Sequence, residues 1–166
     1  MKKIILGMMM ALLFLGCTSK AVEEEAKPKL VVGKSLANMN LNDQFEKAQD
    51  LDESTKKVIF AFSKDMAHIC NDYFVTQAPE YLSKNNTQFV ADVSSAPSLI
   101  RSMFILPGLK DFKHTVLLLD DEKVAAQYRA DVDVEKIIIA YIENETITKI
   151  VSASSEDELK RVIEAK

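Results

Sequence analysis

Apolar and polar positions follow two different periods along the chain after about residue 30. Five short runs of β-branched and apolar residues are typical of strands, and the least interrupted of them are typical of strands buried on both faces. The runs are VIFAFS at 58–63, QFVADVS at 88–94, TVLLLDD at 115–121, KIIIAYI at 136–142 and TITKIVS at 146–152. Together they predict a central sheet of about five strands.

A helix is predicted directly after the first of these runs. Residues 65–77 carry apolar side chains at spacings of three and four, which predicts an amphipathic helix. Its apolar stripe consists of Met66, Ile69, Cys70, Tyr73 and Phe74. Pro79 interrupts the pattern, and a short helix is expected to resume at Glu80.

A second helix is predicted in the segment that follows the QFVADVS run. Ser94 or Ser95 can cap it, Pro97 suits its first turn, and the Pro-Gly pair at 107–108 should stop or kink it. The apolar run SMFILPGL at 102–109 has two interpretations. Most runs of this kind belong to the core, but an exposed one would be a docking surface for a partner protein.

The last part of the chain predicts a hairpin and a closing helix. The stretch YIENETI turns at Asn144 and Glu145, and SSEDELKRVIEA has a capping box formed by Ser155 and Glu158. Because helical segments separate the first three strand runs, those strands should be parallel, and the hairpin should add an antiparallel edge. The pattern predicts an α/β fold of three layers, with helices on both faces of a mixed sheet.

The first seventeen residues have the pattern of an export signal. The stretch MKKIILGMMMALLFLGC has a basic start and an apolar run from Ile4 to Gly16, shorter than the roughly 20 residues that cross a bilayer. Its end resembles the bacterial lipobox, which implies that residues 1–16 are removed and that Cys17 is lipidated. Phe14 stands where that motif prefers leucine, and ordinary cleavage to give a soluble protein is the alternative.

Residues 17–29 are polar and charged, which predicts a flexible tether, and residues 30–166 are enough for one domain. A threonine at position 18 resembles lipoproteins that are sorted to the outer membrane. The expected location is therefore the cell envelope, facing the periplasm, in the outer membrane rather than the inner one. Lipid on Cys17 leaves Cys70 as the remaining thiol, so no intramolecular disulfide is expected.

Charge and motifs exclude several functions. The chain has 21 basic and 25 acidic residues, and removal of Lys2 and Lys3 with the signal changes the net charge from −4 to −6. An acidic protein of this kind is not expected to bind nucleic acid. No DxDxDG, HExxH, GxSxG or glycine-rich phosphate motif is present, so neither a metal nor a cofactor is expected.

The order of predicted elements resembles that of thioredoxin-like proteins. The tail KIIIAYIENETITKIVSASSEDELKRVIEA is similar to the last hairpin and helix of thioredoxins and redoxins. The stretch TVLLLDDEKVAAQYR, interpreted as an extra strand pair before that tail, resembles the exported YtfJ-type family. The resemblance covers about residues 30–166 and lies mostly in element order. It implies a thioredoxin-like domain and, where the site is complete, redox chemistry.

The residues of such a redox site are replaced in this chain. Alignment with the CxxC motif of thioredoxins places Met66 and Ile69 at the two cysteine positions. Alignment with the PxxxTxxC motif of peroxiredoxins places Cys70 at the cysteine, but Ser63 at the proline and Ala67 at the threonine. The resemblance therefore implies a site that has lost its dithiol and its peroxide-binding hydroxyl.

Cys70 has two interpretations. It is a buried apolar residue of the helix stripe, or it is a catalytic thiol that needs a base. His68 is two residues away and points elsewhere on a regular helix. His114 opens the run HTVLLLD, where thioredoxins place the cis-proline that faces the active-site helix, although that placement fails if KIIIAYI is the equivalent strand.

The favoured hypothesis is a protein-binding or scaffolding module in the cell envelope, held to the membrane by its lipid. The alternative is a thiol oxidoreductase or peroxidase that uses Cys70, with His114 nearby and an external reductant. The exposure and the pKa of the Cys70 thiol separate the two hypotheses.

Overall fold

A computed structural model describes residues 26–165. The predicted signal peptide, Cys17 and most of the tether therefore lie outside the described residues. The strands are β1 Leu41–Asp43, β2 Ala48–Gln49, β3 Lys57–Ala61, β4 Thr87–Asp92, β5 Leu117–Leu119, β6 Ile137–Glu143 and β7 Thr146–Ala153. The helices are α1 Lys64–Val75, α2 Tyr81–Lys84, α3 Ser98–Ile100, α4 Leu106–Lys110, α5 Glu122–Arg129 and α6 Glu156–Glu164, with a π-helical segment Arg101–Ile105 between α3 and α4. Between residues 26 and 165, every helix is too short or too polar to span a membrane.

All seven strands form one mixed sheet in the order β2-β1-β5-β4-β3-β6-β7. The pairs β3–β4 and β4–β5 are parallel, and β6 and β7 are antiparallel, as the sequence predicted. The prediction of about five strands is wrong by two, because β1 and β2 are three and two residues long and give no recognisable run. Gln44 extends the β1–β5 pairing, since its side chain accepts from Val116 N at 2.9 Å and donates to the His114 carbonyl at 2.8 Å.

The sheet separates two hydrophobic clusters, which together form the core. Alternate residues of β3 face opposite sides, so Val58 and Phe60 belong to one cluster while Ile59 and Ala61 belong to the other. The first cluster is covered by α5, and the second by α1, α2, α4 and α6. The arrangement is the predicted α/β fold, with helices on both faces of a mixed sheet.

Helix α1 begins where β3 ends. Ser63 has extended backbone angles and its hydroxyl accepts from Met66 N at 3.5 Å, which caps the helix. The apolar stripe predicted from spacing faces the sheet, where Cys70, Tyr73 and Phe74 are buried. The first turn of α1 is thereby fixed at the carboxyl ends of β3 and β4.

The helical segment after β4 differs from its prediction. It starts at Ser98 with Pro97 at the cap position, so neither Ser94 nor Ser95 caps it. Pro107 does not stop it either, because this residue lies in the first turn of α4, where a missing backbone N–H is tolerated. The π-helical segment Arg101–Ile105 precedes that turn and changes the helical phase. The outcome is a helix of three pieces that continues to Lys110.

The segment TVLLLDDEKVAAQYR is a strand followed by a helix, so its interpretation as a strand pair is wrong. Asp121 has extended backbone angles and its carboxylate accepts from Val124 N at 2.9 Å, which starts α5 directly after β5. Ala125 and Tyr128, three residues apart, then turn the buried face of α5 toward the sheet.

The tail confirms the predicted hairpin and helix. Asn144 and Glu145 have φ angles of 48° and 61°, so both central residues of the two-residue turn are left-handed, as a type I′ turn requires. Ser155 caps α6 by accepting from Glu158 N at 3.3 Å, while the Glu158 carboxylate accepts from Ser154 N at 2.7 Å. At the other end of α6, Lys57 Nζ donates to the carbonyl of Ile163 at 2.7 Å and to that of the C-cap residue Ala165 at 2.8 Å.

Candidate binding cleft

A cleft of about 450 Å³ lies at the carboxyl ends of β3 and β4. One wall is the exposed side of α1, and the opposite wall is the inner side of the helix that follows β4. Its apolar lining consists of Phe62, Ala67, Ala91, Val93, Ala96, Ile105 and Leu109. Its polar lining consists of Ser63, Lys64, His68, Asn71, Asp92 and Ser95. In open α/β sheets the carboxyl ends of the strands are the usual place for a ligand.

The positions predicted for a redox motif lie in the first turns of α1. Ser63 and Ala67 line the cleft, whereas Met66 and Ile69 are half-buried and pack against the cluster beneath the helix. None of the described residues that line the cleft is a cysteine. The positions aligned with the peroxiredoxin proline and threonine therefore present a hydroxyl and a methyl group to the cleft, and the two dithiol positions do not line it.

Cys70 is fully buried, with 0% of its surface exposed. It lies in the cluster on the α1 side of the sheet, with Phe74, Phe89 and Val116 among its members. Burial raises the pKa of its thiol well above the ordinary value, because a thiolate is poorly solvated there. In this conformation the thiol can neither reach solvent nor ionise at neutral pH.

The two histidines have different environments. His68 is exposed on α1 and lines the cleft. His114 is 4% exposed, and its ring stacks on Phe112 with centroids 5.0 Å apart and packs edge-on against Phe74 at 5.3 Å. Burial lowers the pKa of His114 to about 4, so the ring is neutral at physiological pH.

His114 bonds to Asn71 rather than to Cys70. Its Nε2 lies 3.0 Å from Asn71 Oδ1, and no hydrogen bond joins it to Cys70 in the described part of the chain. The strand antiparallel to β3 is β6, the KIIIAYI run, whereas β5 pairs with β4 and β1. The KIIIAYI run thus lies beside the strand that precedes α1, and His114 contacts the middle of that helix through Asn71 instead of its first turn.

Asn71 is the cleft residue that sequence reasoning missed. It is 7% exposed, and it shares one stripe of α1 with Lys64 and Ala67, at spacings of three and four. That spacing was the available signal, since it places a polar side chain on the margin of the apolar stripe. Its bond to His114 spans 43 residues, which no local pattern could show.

The carboxylate at the cleft rim is already paired. Asp92 Oδ2 accepts from Arg129 at 2.8 Å, and its Oδ1 accepts from the Ser94 hydroxyl at 2.6 Å. Arg129 also pairs with Glu122. The Asp92 side chain is 1% exposed, so this network joins the end of β4 to α5 and does not supply a free acid or base. Among residues 26–165, no three histidine, cysteine or acidic side chains cluster to hold a metal ion.

The outer side of the helix after β4 is apolar and faces solvent. The exposed side chains are Leu99, Ile100, Met103 and Phe104, with 64%, 42%, 58% and 66% of their surface accessible. Ile105 and Leu109 follow on the inner side and line the cleft. The run SMFILPGL is thus divided, because its first apolar residues are exposed and its last ones pack against the core.

Comparison with known proteins addresses the fold. No protein-family model matches the chain, and no curated protein matches it in sequence. Among solved structures, a putative thiol:disulfide interchange protein DsbE from Chlorobium tepidum has a TM-score of 0.52 and 18% identity, covering 81% of this chain and 96% of its own. The peroxidoxin BcpB from Mycobacterium tuberculosis has a TM-score of 0.50 and 15% identity, covering 80% and 93%. A peroxiredoxin-like protein from Aquifex aeolicus has a TM-score of 0.50 and 11% identity, covering 83% and 86%.

The domain has a thioredoxin-like fold. At these sequence identities the similarity shows a shared architecture alone and is not evidence for a shared activity. The thioredoxin-like domain places its cleft beside the first turn of α1, with Ser63 and Ala67 lining it and Cys70 buried beneath the helix.

Proposed function

We propose that this protein is an exported cell-envelope lipoprotein whose thioredoxin-like domain binds a partner protein without redox chemistry. The observation that carries the proposal is the apolar cleft beside the first turn of α1, which no described cysteine lines. The exposed apolar face of Leu99, Ile100, Met103 and Phe104 continues outward from one wall of this cleft. An apolar segment of a partner would fill the cleft and cover this face.

The energies favour use of both surfaces together. Complete burial of a large apolar side chain contributes about 1.5–3 kcal/mol, and the four exposed side chains are already part-buried, so the face alone supplies roughly 3–7 kcal/mol. Loss of free motion on association costs about 4–15 kcal/mol. A stable complex therefore needs the cleft to be filled as well as the face to be covered.

The amino-terminal sequence supports the location. A basic start, a 13-residue apolar run and a lipobox-like end predict a lipid on Cys17, followed by a tether of about a dozen residues. The membrane is then a partner through the lipid only, and the outer membrane is the expected destination. The narrower assignment to the YtfJ-type family loses the feature on which it rested, because residues 115–129 form one strand and one helix instead of a strand pair.

A peptide-display experiment tests the binding function. A library of random twelve-residue peptides is selected against the protein, and enrichment of apolar sequences is expected. Ala67→Phe, which fills the cleft, should abolish binding of the selected peptides, whereas Ala48→Phe, at an exposed residue of β2, should leave it unchanged. Peptides that bind both variants equally, or no enrichment at all, would contradict the proposal.

The competing hypothesis is a single-cysteine oxidoreductase that uses Cys70 and His114. In the described conformation the thiol is buried and the imidazole bonds to Asn71. Thiol chemistry would therefore require α1 to separate from the sheet, and Cys70 accessibility distinguishes the two functions.

A further inference from the structure

Asn71 is a buried amide beside an apolar cleft. It is 7% exposed, and it is among the residues that line the cleft. Its Oδ1 lies 3.0 Å from His114 Nε2. Burial of an amide is costly unless both of its ends have partners, and His114 is a partner for one end only.

The environment of His114 determines which end of the amide faces the ring. The other ring nitrogen, Nδ1, is buried and has no partner among the described residues. If Nδ1 carried the proton, a buried N–H would have no acceptor, and such orphan donors are rare. The proton therefore lies on Nε2 and is donated to Asn71 Oδ1.

This assignment leaves the amide nitrogen of Asn71 to the cleft. In the part of the chain that the structure describes, Nδ2 makes no hydrogen bond, yet it is not among the fully buried atoms that lack a partner. Its residual exposure is therefore toward the cleft that Asn71 lines. The cleft thus presents two N–H donors from a side chain that is fixed by the core.

We propose that Asn71 is the specificity residue of the cleft, donating from Nδ2 to a main-chain carbonyl of an extended apolar peptide segment. This rests on the protein-binding function proposed above and names the chemistry of the bound segment. His114 is the positioning residue, because it holds Oδ1 and so fixes the direction of Nδ2.

The dimensions of the cleft favour an extended chain. Lys64, Ala67 and Asn71 lie on one stripe of α1, and seven residues of helix rise about 10 Å. An extended peptide covers that distance in about three residues. Its side chains would contact the apolar lining, and a chain that continues outward would reach the exposed face at Met103 and Phe104.

The test uses residues 17–166 with Cys17→Ser, which retain every described strand and helix. The ¹⁵N-labelled protein is titrated with the blocked peptide acetyl-Leu-Val-Leu-N-methylamide and, separately, with octanoate. Two sets of NMR signals are followed. Backbone amides of Ala67 and Ile105 report occupation of the cleft, and the side-chain NH₂ signals of Asn71 report the proposed hydrogen bond.

Three variants separate specificity from structure. Asn71→Asp keeps an oxygen toward His114 but replaces the donor with an acceptor, and it should weaken peptide binding at least about tenfold. The matched control Asn42→Asp makes the same change at an exposed residue of β1 and should have no effect. His114→Gln retains an amide donor for Asn71 and should preserve binding, whereas His114→Phe should weaken it without unfolding the domain.

Each outcome has a distinct meaning. Shifts at the cleft and at the Asn71 NH₂ group, lost in Asn71→Asp and kept in His114→Gln, support the proposal. Shifts at the cleft with an unchanged Asn71 signal overturn the role of Asn71 but leave the binding function standing. Binding of octanoate without peptide binding overturns the choice of a peptide. No shift with either probe overturns the binding function as well.

Discussion

Cys70 should be inert toward thiol reagents in the folded protein. Its side chain has no exposed surface, and it packs between α1 and the sheet with Phe74 and Phe89 in the same cluster. Reaction therefore requires α1 to separate from the sheet, which exposes much of that cluster. The prediction separates the binding module from the single-cysteine enzyme, because an enzyme needs its thiol to be accessible.

The magnitude follows from the stability of the packed core. An opening that exposes core helices costs nearly the free energy of global unfolding, which is about 5–15 kcal/mol for small domains. Each 1.4 kcal/mol lowers the open fraction about tenfold. Even at about 5 kcal/mol, labelling of Cys70 should be on the order of 10³- to 10⁴-fold slower than in the unfolded chain.

The assay measures alkylation by iodoacetamide at pH 8 in protein with Cys17→Ser, so that Cys70 is the remaining thiol. Ala48→Cys adds a second thiol at an exposed residue of β2 and serves as the internal standard. Native protein should label at the added cysteine alone. In urea above the unfolding midpoint, both thiols should label at similar rates.

A different result would refute the reasoning. If native Cys70 reacted within about tenfold of the exposed standard, the buried conformation would not be the dominant one in solution. If the pH dependence of its alkylation rate also gave a pKa well below the unperturbed value of about 8.5, the single-cysteine enzyme would become the better description. A peroxidase assay would then follow.

Further predictions concern stability and location. Arg129→Met should cost about 2–4 kcal/mol in urea denaturation, because it leaves the carboxylate of Asp92, whose side chain is 1% exposed, without its cation. Burial lowers the pKa of His114 from 6.5 to about 4, so the unfolded chain binds a proton in this range that the folded chain does not. The contribution of His114 to the free energy of unfolding is therefore complete above about pH 6.5 and falls by on the order of 2–3 kcal/mol toward pH 4. His114→Gln should remove this pH dependence. Glu145→Gly should raise stability by about 1 kcal/mol, since Glu145 has a φ of 61°. Cys17→Ser should abolish labelling with radioactive palmitate and release the protein from membranes, and labelling that persists would contradict the lipobox.

The sheet was largely predictable because its central strands are continuous apolar runs. β3 is buried at all five of its residues, which is what a strand covered on both faces requires. β1 and β2 were not predictable, since they have three and two residues and their position depends on the buried amide of Gln44. α5 is hard to predict because LLLDDEKVAA combines a continuous apolar run, typical of a strand, with apolar residues that also fit a helix. The Asp121 cap starts the helix.

The absence of a cysteine motif from the candidate site was predictable from the sequence, but the polar contact within the site was not. The replacement of motif cysteines at Met66 and Ile69 can be read from the sequence alone. The contact of Asn71 with His114 cannot, because the residues are brought together by packing of α1 against the segment that precedes β5. Local sequence patterns cannot predict a contact between residues that are so far apart in the chain.

The π-helical segment Arg101–Ile105 has a consequence for how this surface can evolve. Each added or removed residue rotates one part of a helix against the next by about 100°. The segment separates the solvent-facing Leu99 and Ile100 from Leu109, which packs inward. A single insertion or deletion there would turn a new set of side chains outward while the packed half kept its place, so one mutational step is enough to exchange the interaction surface without rebuilding the core.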